Sequence, residues 1–230
     1  MNEIILILNK PIGITSNSII KKIEFLFKKK KIGHCGNLDV NASGILLICL
    51  KKINKKNNKY IYNFNKKYIL KINLGYRTNT NDLNGKFISS NIKNINIKKN
   101  NFFYNIYKIH GISYQKPNIF SSVKYKGKNL YEYTRCGIKL FKKKKYIYIN
   151  NIKIINKKNL LFSISCTKGT YIRSIIDFLG QQLICKSYMS FLHRINIGLF
   201  NIKKSIYLED LLYKRYKKII KLNIIKKYIK

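Results

Sequence analysis

Between residues 33 and 44 the chain reads GHCGNLDVNASG, three glycines among polar residues, directly before the apolar run ILLICL at 45–50. Glycine at that density permits backbone conformations closed to other residues, so a tightly folded loop is expected here, followed by a buried strand. Upstream, EIILIL at 3–8 is apolar and β-branched, which suggests another buried strand, and Lys10-Pro11-Ile12-Gly13 punctuates the chain as a turn. A helix comes next, because Ile19, Ile20, Ile23, Leu26 and Phe27 recur on one helical face and lysines occupy the other. Ser16 or Ser18 is placed to cap it.

Farther along, Tyr68, Leu70, Ile72 and Leu74 alternate with Ile69, Lys71 and Asn73, the period of a strand whose tyrosine shares a face with aliphatics. The lysine- and asparagine-rich stretches 51–59 and 91–101 read as solvated connections. Residues 113–144 mix tyrosine, lysine and glycine, as a basic, aromatic-bearing excursion from the core would. Leu160 to Cys166 suggests a strand and Thr167 to Thr170 a turn. Ile172, Ile175, Ile176 and Leu179 then mark an amphipathic helix closed by Gly180. The tail from Tyr213 to Lys230 alternates basic and aliphatic residues in a helix-compatible way.

Lysine and arginine number 48 against 8 aspartates and glutamates, a formal charge of +40 that makes a compact chain repel itself. A polyanion relieves that repulsion, and nucleic acid is the natural one. Lysine, isoleucine and asparagine are also what adenine- and thymine-rich codons specify, so charge is support and not proof. The five cysteines (Cys35, Cys49, Cys136, Cys166, Cys185) are widely spaced, with no C-x-x-C pair, and indicate neither a disulfide framework nor a zinc site. The longest apolar run is far below the roughly 20 residues of a membrane span, and no basic start with a cleavage site precedes it. A cytoplasmic setting, in a bacterial cytosol or its organellar equivalent, is the expectation.

In a chain this poor in acids, Asp39 at the centre of the glycine-bearing loop stands out. Two readings are open from the local sequence: a carboxylate bonded to its own loop backbone, or a reacting group.

The segments KPIGITSNSII (10–20) and KIGHCGNLDVNASGILLICL (31–50) closely resemble the first two motifs of the tRNA pseudouridine(55) synthase family, called TruB. The resemblance continues in order through KKYILKINLGYRTNTNDLNG (66–85), SSVKYKGKNLYEYTRCGI (121–138) and CTKGTYIRSIIDFLG (166–180), covering roughly residues 4–212. It implies an α+β pseudouridine synthase fold, a largely antiparallel sheet flanked by helices, with residues of about 113–144 inserted against RNA. It implies isomerisation of a uridine in the T loop of transfer RNA without a cofactor or metal, the T arm of tRNA as partner, and a monomer.

Residue by residue, the resemblance assigns the catalytic carboxylate to Asp39, and to Arg173 the arginine that pairs with that aspartate and holds it ionised and oriented. Arg173 is also four residues before Asp177 on the expected helix, where a simple surface ion pair is the alternative. Tyr68 matches the tyrosine that stacks on the target base, Tyr171 and Leu192 match pocket-lining residues, and Lys10 matches a residue supporting the loop. His34 matches the histidine associated with base flipping, and Asp82 matches an acid with a structural or RNA-positioning role.

The chain departs from the family pattern at Val40, where proline is usual, at Asn9 for a common acid, and at Cys35 for a frequent threonine. It also stops soon after LEDLL, before the PUA-type RNA-binding module of bacterial members, so residues 1–212 are expected to be the catalytic domain and 213–230 a basic, helical tail. The lysine surplus would then compensate for weaker RNA binding. Two rivals stand beside this reading: a synthase of a guide-RNA ribonucleoprotein, and a non-catalytic basic RNA-binding or chaperone protein that retains the fold.

Overall fold

A computed structural model describes residues 4–50, 55–91, 99–115, 124–138, 140, 144–213 and 220–221. The chain forms two compact units, residues 1–69 with 192–230 and residues 70–191.

The first unit begins with β1 (Ile4–Lys10), α1 (Ser16–Leu26), β2 (Gly33–His34), β3 (Ala42–Cys49) and α2 (Lys55–Asn63). Strand β4 (Lys66–Leu74) leads out of it. The second unit holds β5 (Tyr76–Thr78), β6 (Phe87–Ser90), α3 (Lys99–Lys108), β7 (Gly111–Gln115), β8 (Lys124–Tyr125), β9 (Lys128–Asn129) and α4 (Leu130–Arg135). It continues through β10 (Lys145–Asn156), β11 (Leu161–Cys166) and α5 (Ile172–Gln182). Strand β12 (Ser187–Ile197) returns the chain to the first unit, which ends in β13 (Phe200–Asn201), β14 (Ile206–Tyr207), α6 (Leu208–Leu212) and β15 (Ile220–Lys221). The architecture is α+β, as expected.

In the first unit β1 lies antiparallel to β3, with Leu6 opposite Ile48 and Leu8 opposite Leu46, and parallel to β14. Both faces of this pair are covered. Ile5, Ile7, Ile45 and Leu47 pack with Cys35, Ile61, Ile197 and Phe200, while Leu6, Leu8, Leu46 and Ile48 pack with Ile19 and Ile23 of α1 and Leu208 and Leu211. That two-sided burial is why β1 and β3 read as continuous apolar runs instead of alternating ones. Each fully buried aliphatic contributes roughly 2 kcal/mol.

Helix α1 is capped by Thr15, whose side chain accepts from the Ser18 amide at 2.9 Å, and not by either expected serine. Ser16 is buried and engaged elsewhere: its hydroxyl accepts from the Leu38 amide at 3.1 Å and donates to the Leu38 carbonyl at 3.2 Å. Strand β3 starts at Ala42, three residues before the apolar run. Gly44 is in it at φ +106°, and a Cβ there would sit 2.3 Å from the Arg194 carbonyl oxygen, so only glycine lets β12 lie this close.

In the second unit the strands run β12, β4, β11, β10, β7, with β10 antiparallel to both of its neighbours. One face packs Leu70, Ile72, Ile152, Phe162 and Ile164 against Ile106 of α3 and Ile175, Ile176 and Leu179 of α5. Helix α5 does not close at Gly180 as expected. It runs on to Gln182, and the missing side chain makes room for Ser187, whose amide nitrogen would lie 2.6 Å from a Cβ. Of the insertion, 116–123, 139 and 141–143 are outside the described residues. The remainder includes the β8–β9 ribbon and α4. Of the tail expected to be helical, Ile220 and Lys221 are a strand antiparallel to β1, and 214–219 and 222–230 are outside the described residues. No helix among the described residues is long and apolar enough to cross a membrane.

Candidate active site

Asp39 is half-buried in the loop between β2 and β3, and the backbone around it is fastened from three sides. Leu38 is held by Ser16 through the two bonds described above. The Val40 carbonyl accepts from the Gly13 amide at 2.9 Å and from Lys10 Nζ at 3.3 Å. Gly36 and Asn37 offer their carbonyls to Arg194, which donates to them from Nη2 at 3.2 Å and Nη1 at 3.1 Å and to Ile45 O from Nε at 2.8 Å. The Ala42 amide closes the turn onto Asp39 O at 3.1 Å. The backbone carrying this carboxylate is thus held by its neighbours' contacts, as a reacting group requires.

Two of these fasteners are cations with no exposed surface to speak of, Lys10 at 0% and Arg194 at 1%. Lys10 Nζ donates to Pro11 O and Ile14 O, both at 2.8 Å, besides Val40 O. Burial pushes its pKa down from 10.5 to about 8; the Asp39 carboxylate acts in the opposite direction and Arg194 in the same one. Between pH 8 and 10.5 the unfolded chain therefore binds a proton here that the folded chain has released, and stability rises with pH across that window. Relative to Lys10→Met, the native chain is expected to gain roughly 1 kcal/mol per pH unit between about pH 8 and 10. Urea unfolding of both proteins across that range checks this.

His34 lies on β2 opposite Ile48, with Nδ1 buried and without a hydrogen-bond partner. Burial, and then the Arg194 guanidinium, hold its pKa below the usual value, so the ring is neutral at pH 7. Tyr68 is on the buried side of β4, 6% exposed, two residues after Lys66, whose Nζ donates to Phe64 O at 2.8 Å. Leu192 is buried on β12 opposite Ala42. Asp39, Lys10, His34, Tyr68 and Leu192 thus belong to the first unit.

Arg173, Tyr171 and Asp82 belong to the second. Arg173 is buried in the first turn of α5, and its Nη1 donates to Asp82 Oδ2 at 3.1 Å and to Thr80 O at 3.3 Å. Asp82 is itself buried. Its Oδ1 accepts from Thr80 Oγ1 at 2.7 Å and from the Asn84 amide at 3.0 Å, which fixes the acid as a bracket for the arginine. Tyr171 enters α5 in extended conformation, and the Gln115 amide group clasps its backbone on both sides, at 2.7 and 2.8 Å. Asp177, the alternative partner considered for Arg173, is gripped at two points by Arg77, at 2.6 and 2.8 Å. Beside this pair opens a cavity of about 670 Å³, lined by Arg77, Asn81, Ser113, Gln115, Ser174 and Asp177 among others.

Sequence reading overlooked Arg194 and the second job of Ser16. A signal for Arg194 does exist: lysine is this chain's default cation, with arginine at five positions, and a planar fork of donors is what lysine cannot supply. Arg77, Arg173 and Arg194 each use that fork or its reach to hold a carboxylate or several carbonyls. Among the described residues no group of three His, Cys, Asp or Glu side chains could hold a metal ion.

Comparison with known proteins places these features in context. Residues 24–172 match the model of the TruB family pseudouridylate synthase N-terminal domain. The tRNA pseudouridine synthase B of Wigglesworthia glossinidia brevipalpis is 44% identical over 87% of this chain, and that of Clostridium kluyveri is 38% identical over 90%. The chain spans 61% and 71% of the lengths of those two relatives. Among solved structures, a Cbf5-Nop10-Gar1 complex matches with TM-score 0.70 at 24% identity, over 93% of this chain and 54% of that one. At that identity the likeness is one of fold.

Proposed function

Because this chain belongs to the TruB family of pseudouridylate synthases, we propose that it isomerises uridine to pseudouridine in the T loop of transfer RNA, at position 55, with Asp39 as the reacting carboxylate. The observation that carries this reading is the mounting of Asp39: its flanking backbone is fixed by Ser16, Lys10 and Arg194, and its side chain is half-exposed. The reaction breaks the N1–C1′ bond, turns the uracil, and joins C5 to C1′; C5 loses its proton and N1 ends protonated. A carboxylate at the sugar can stabilise the positive charge that develops at C1′ or take it covalently, as carboxylates do at other glycosidic centres.

The uridine has to leave its stack before any of this can happen. The neutral, half-buried ring of His34 suits stacking in the space left by the flipped base better than proton transfer. Tyr68 offers a rigid phenol on a strand as a platform for the base. Arg173 is the guanidinium that the family resemblance pairs with the reacting carboxylate, and within its own unit Asp82 sets its position.

A T-arm hairpin carrying tritium at C5 of its uridines tests the proposal. The native chain is expected to release one tritium per target uridine to solvent. Tight hairpin binding with no release over hours would favour the rival reading, a basic RNA-binding protein on the same fold.

A further inference from the structure

The β7–β10 pair has two unlike faces. Ser113, Gln115, Ile147 and Ile149 point into the unit and line the cavity beside Arg77. The opposite face carries Ile112, Tyr114, Tyr146 and Tyr148, which are 72%, 56%, 69% and 40% exposed; Tyr114 also borders the cavity. Register makes these a block: Tyr146 is directly opposite Tyr114, and Tyr148 is directly opposite Ile112. The rings of Tyr114 and Tyr146 have centroids 4.1 Å apart, and the Tyr114 hydroxyl donates to that of Tyr146. His110 extends the block: it is exposed, bonds Asn150 O through Nε2 at 3.0 Å, and lies edge-on to Tyr148 at 6.4 Å.

So many large rings on one sheet face, left in water, mark a surface that something covers. Charge decides what that is. Neither strand contains an acid, and four exposed lysines lie close by: Lys145 begins β10, Lys144 precedes it, Lys108 is three residues before β7, and Lys168 follows Thr167, whose amide donates to Tyr148 O at 2.9 Å. Protein contacts use such rings too, but an edge of lysines on a chain of net charge +40 favours a polyanion, and a nucleic-acid strand stacks its bases on aromatic faces while lysines track its phosphates. A duplex hides its base faces, so the strand has to be unpaired.

We propose that the outward face of β7–β10 is a stacking platform for an unpaired segment of RNA, built on Tyr114, Tyr146 and Tyr148 and edged by lysine. This rests on the reading of the chain as an enzyme acting on RNA and adds a second contact with that substrate class. Residues two apart on a strand are about 6.8 Å apart, so the two cross-strand pairs present successive surfaces to successive bases. The lysines add a salt-dependent term.

The test measures fluorescence anisotropy of a labelled single-stranded oligouridylate with the whole chain, at low and physiological salt. Replacing Tyr114, Tyr146 and Tyr148 together by Ala is expected to weaken binding roughly tenfold to a hundredfold. The matching triple Phe variant, which keeps the rings, is expected to stay within about twofold of native. Equal affinity of the Ala variant and the native chain overturns the platform. So does loss of self-association in sedimentation with oligouridylate binding unchanged, which would make the face a protein contact. Unfolding midpoints confirm that the variants fold. Tritium release from the T-arm hairpin is scored separately: oligouridylate binding lost only in the Ala variant, with no release by the native chain, upholds the platform and rejects the isomerase.

Discussion

Asp39→Asn is expected to lower pseudouridine formation by on the order of 10⁴-fold or more while leaving affinity for the T-arm hairpin within about twofold of native. Asparagine has nearly the same shape, and the fasteners of the loop do not depend on it, since Ser16, Lys10 and Arg194 all bind backbone atoms of neighbouring residues. What disappears is the negative charge of the side chain. Single-turnover tritium release, measured beside anisotropy with the same RNA, separates the two effects. Native-like turnover by a contamination-free Asn variant would remove Asp39 from the chemistry, and equal loss of binding and turnover would recast it as an RNA contact.

Arg194→Met is expected to cost about 3–5 kcal/mol of stability, and to depress turnover in whatever fraction remains folded. The side chain is 1% exposed, and its fork serves the carbonyls of Gly36, Asn37 and Ile45. Methionine fills much of the volume but takes the donor away from the buried Ile45 carbonyl and from the half-buried carbonyls of Gly36 and Asn37. Arg194→Lys keeps the charge and reaches fewer carbonyls, so it is expected to fall between the two. Urea midpoints rank the three proteins. A Met variant as stable as native would show that water reaches the carbonyls and that the loop stands without its clamp.

What could be read from sequence was what depends on near neighbours. The apolar runs of β1 and β3, the helical stripe of Ile19 and Ile23, and the alternation through Tyr68 each declare themselves within ten residues. The misreadings share a different cause. Ser16 was passed over for capping because Leu38, 22 residues on, recruits its hydroxyl. Gly44 reads as loop until Arg194 is seen against it, and Gly180 reads as a helix stop until Ser187 is seen in the space it leaves. The resemblance alone gives Asp82 a structural or RNA-positioning role. Its bond to Arg173, across 91 residues, has no local signature.

The first unit is assembled from two separate stretches, 1–69 and 192–230, whereas the second is one uninterrupted stretch. During synthesis, residues 70–191 emerge with all their own partners present, while the turn carrying Asp39 waits for Arg194, made some 157 residues after Asn37. Contacts that distant close late and slowly. A nascent chain halted before residue 192 would hold that turn through Ser16 and Lys10 alone, without the clamp of Arg194.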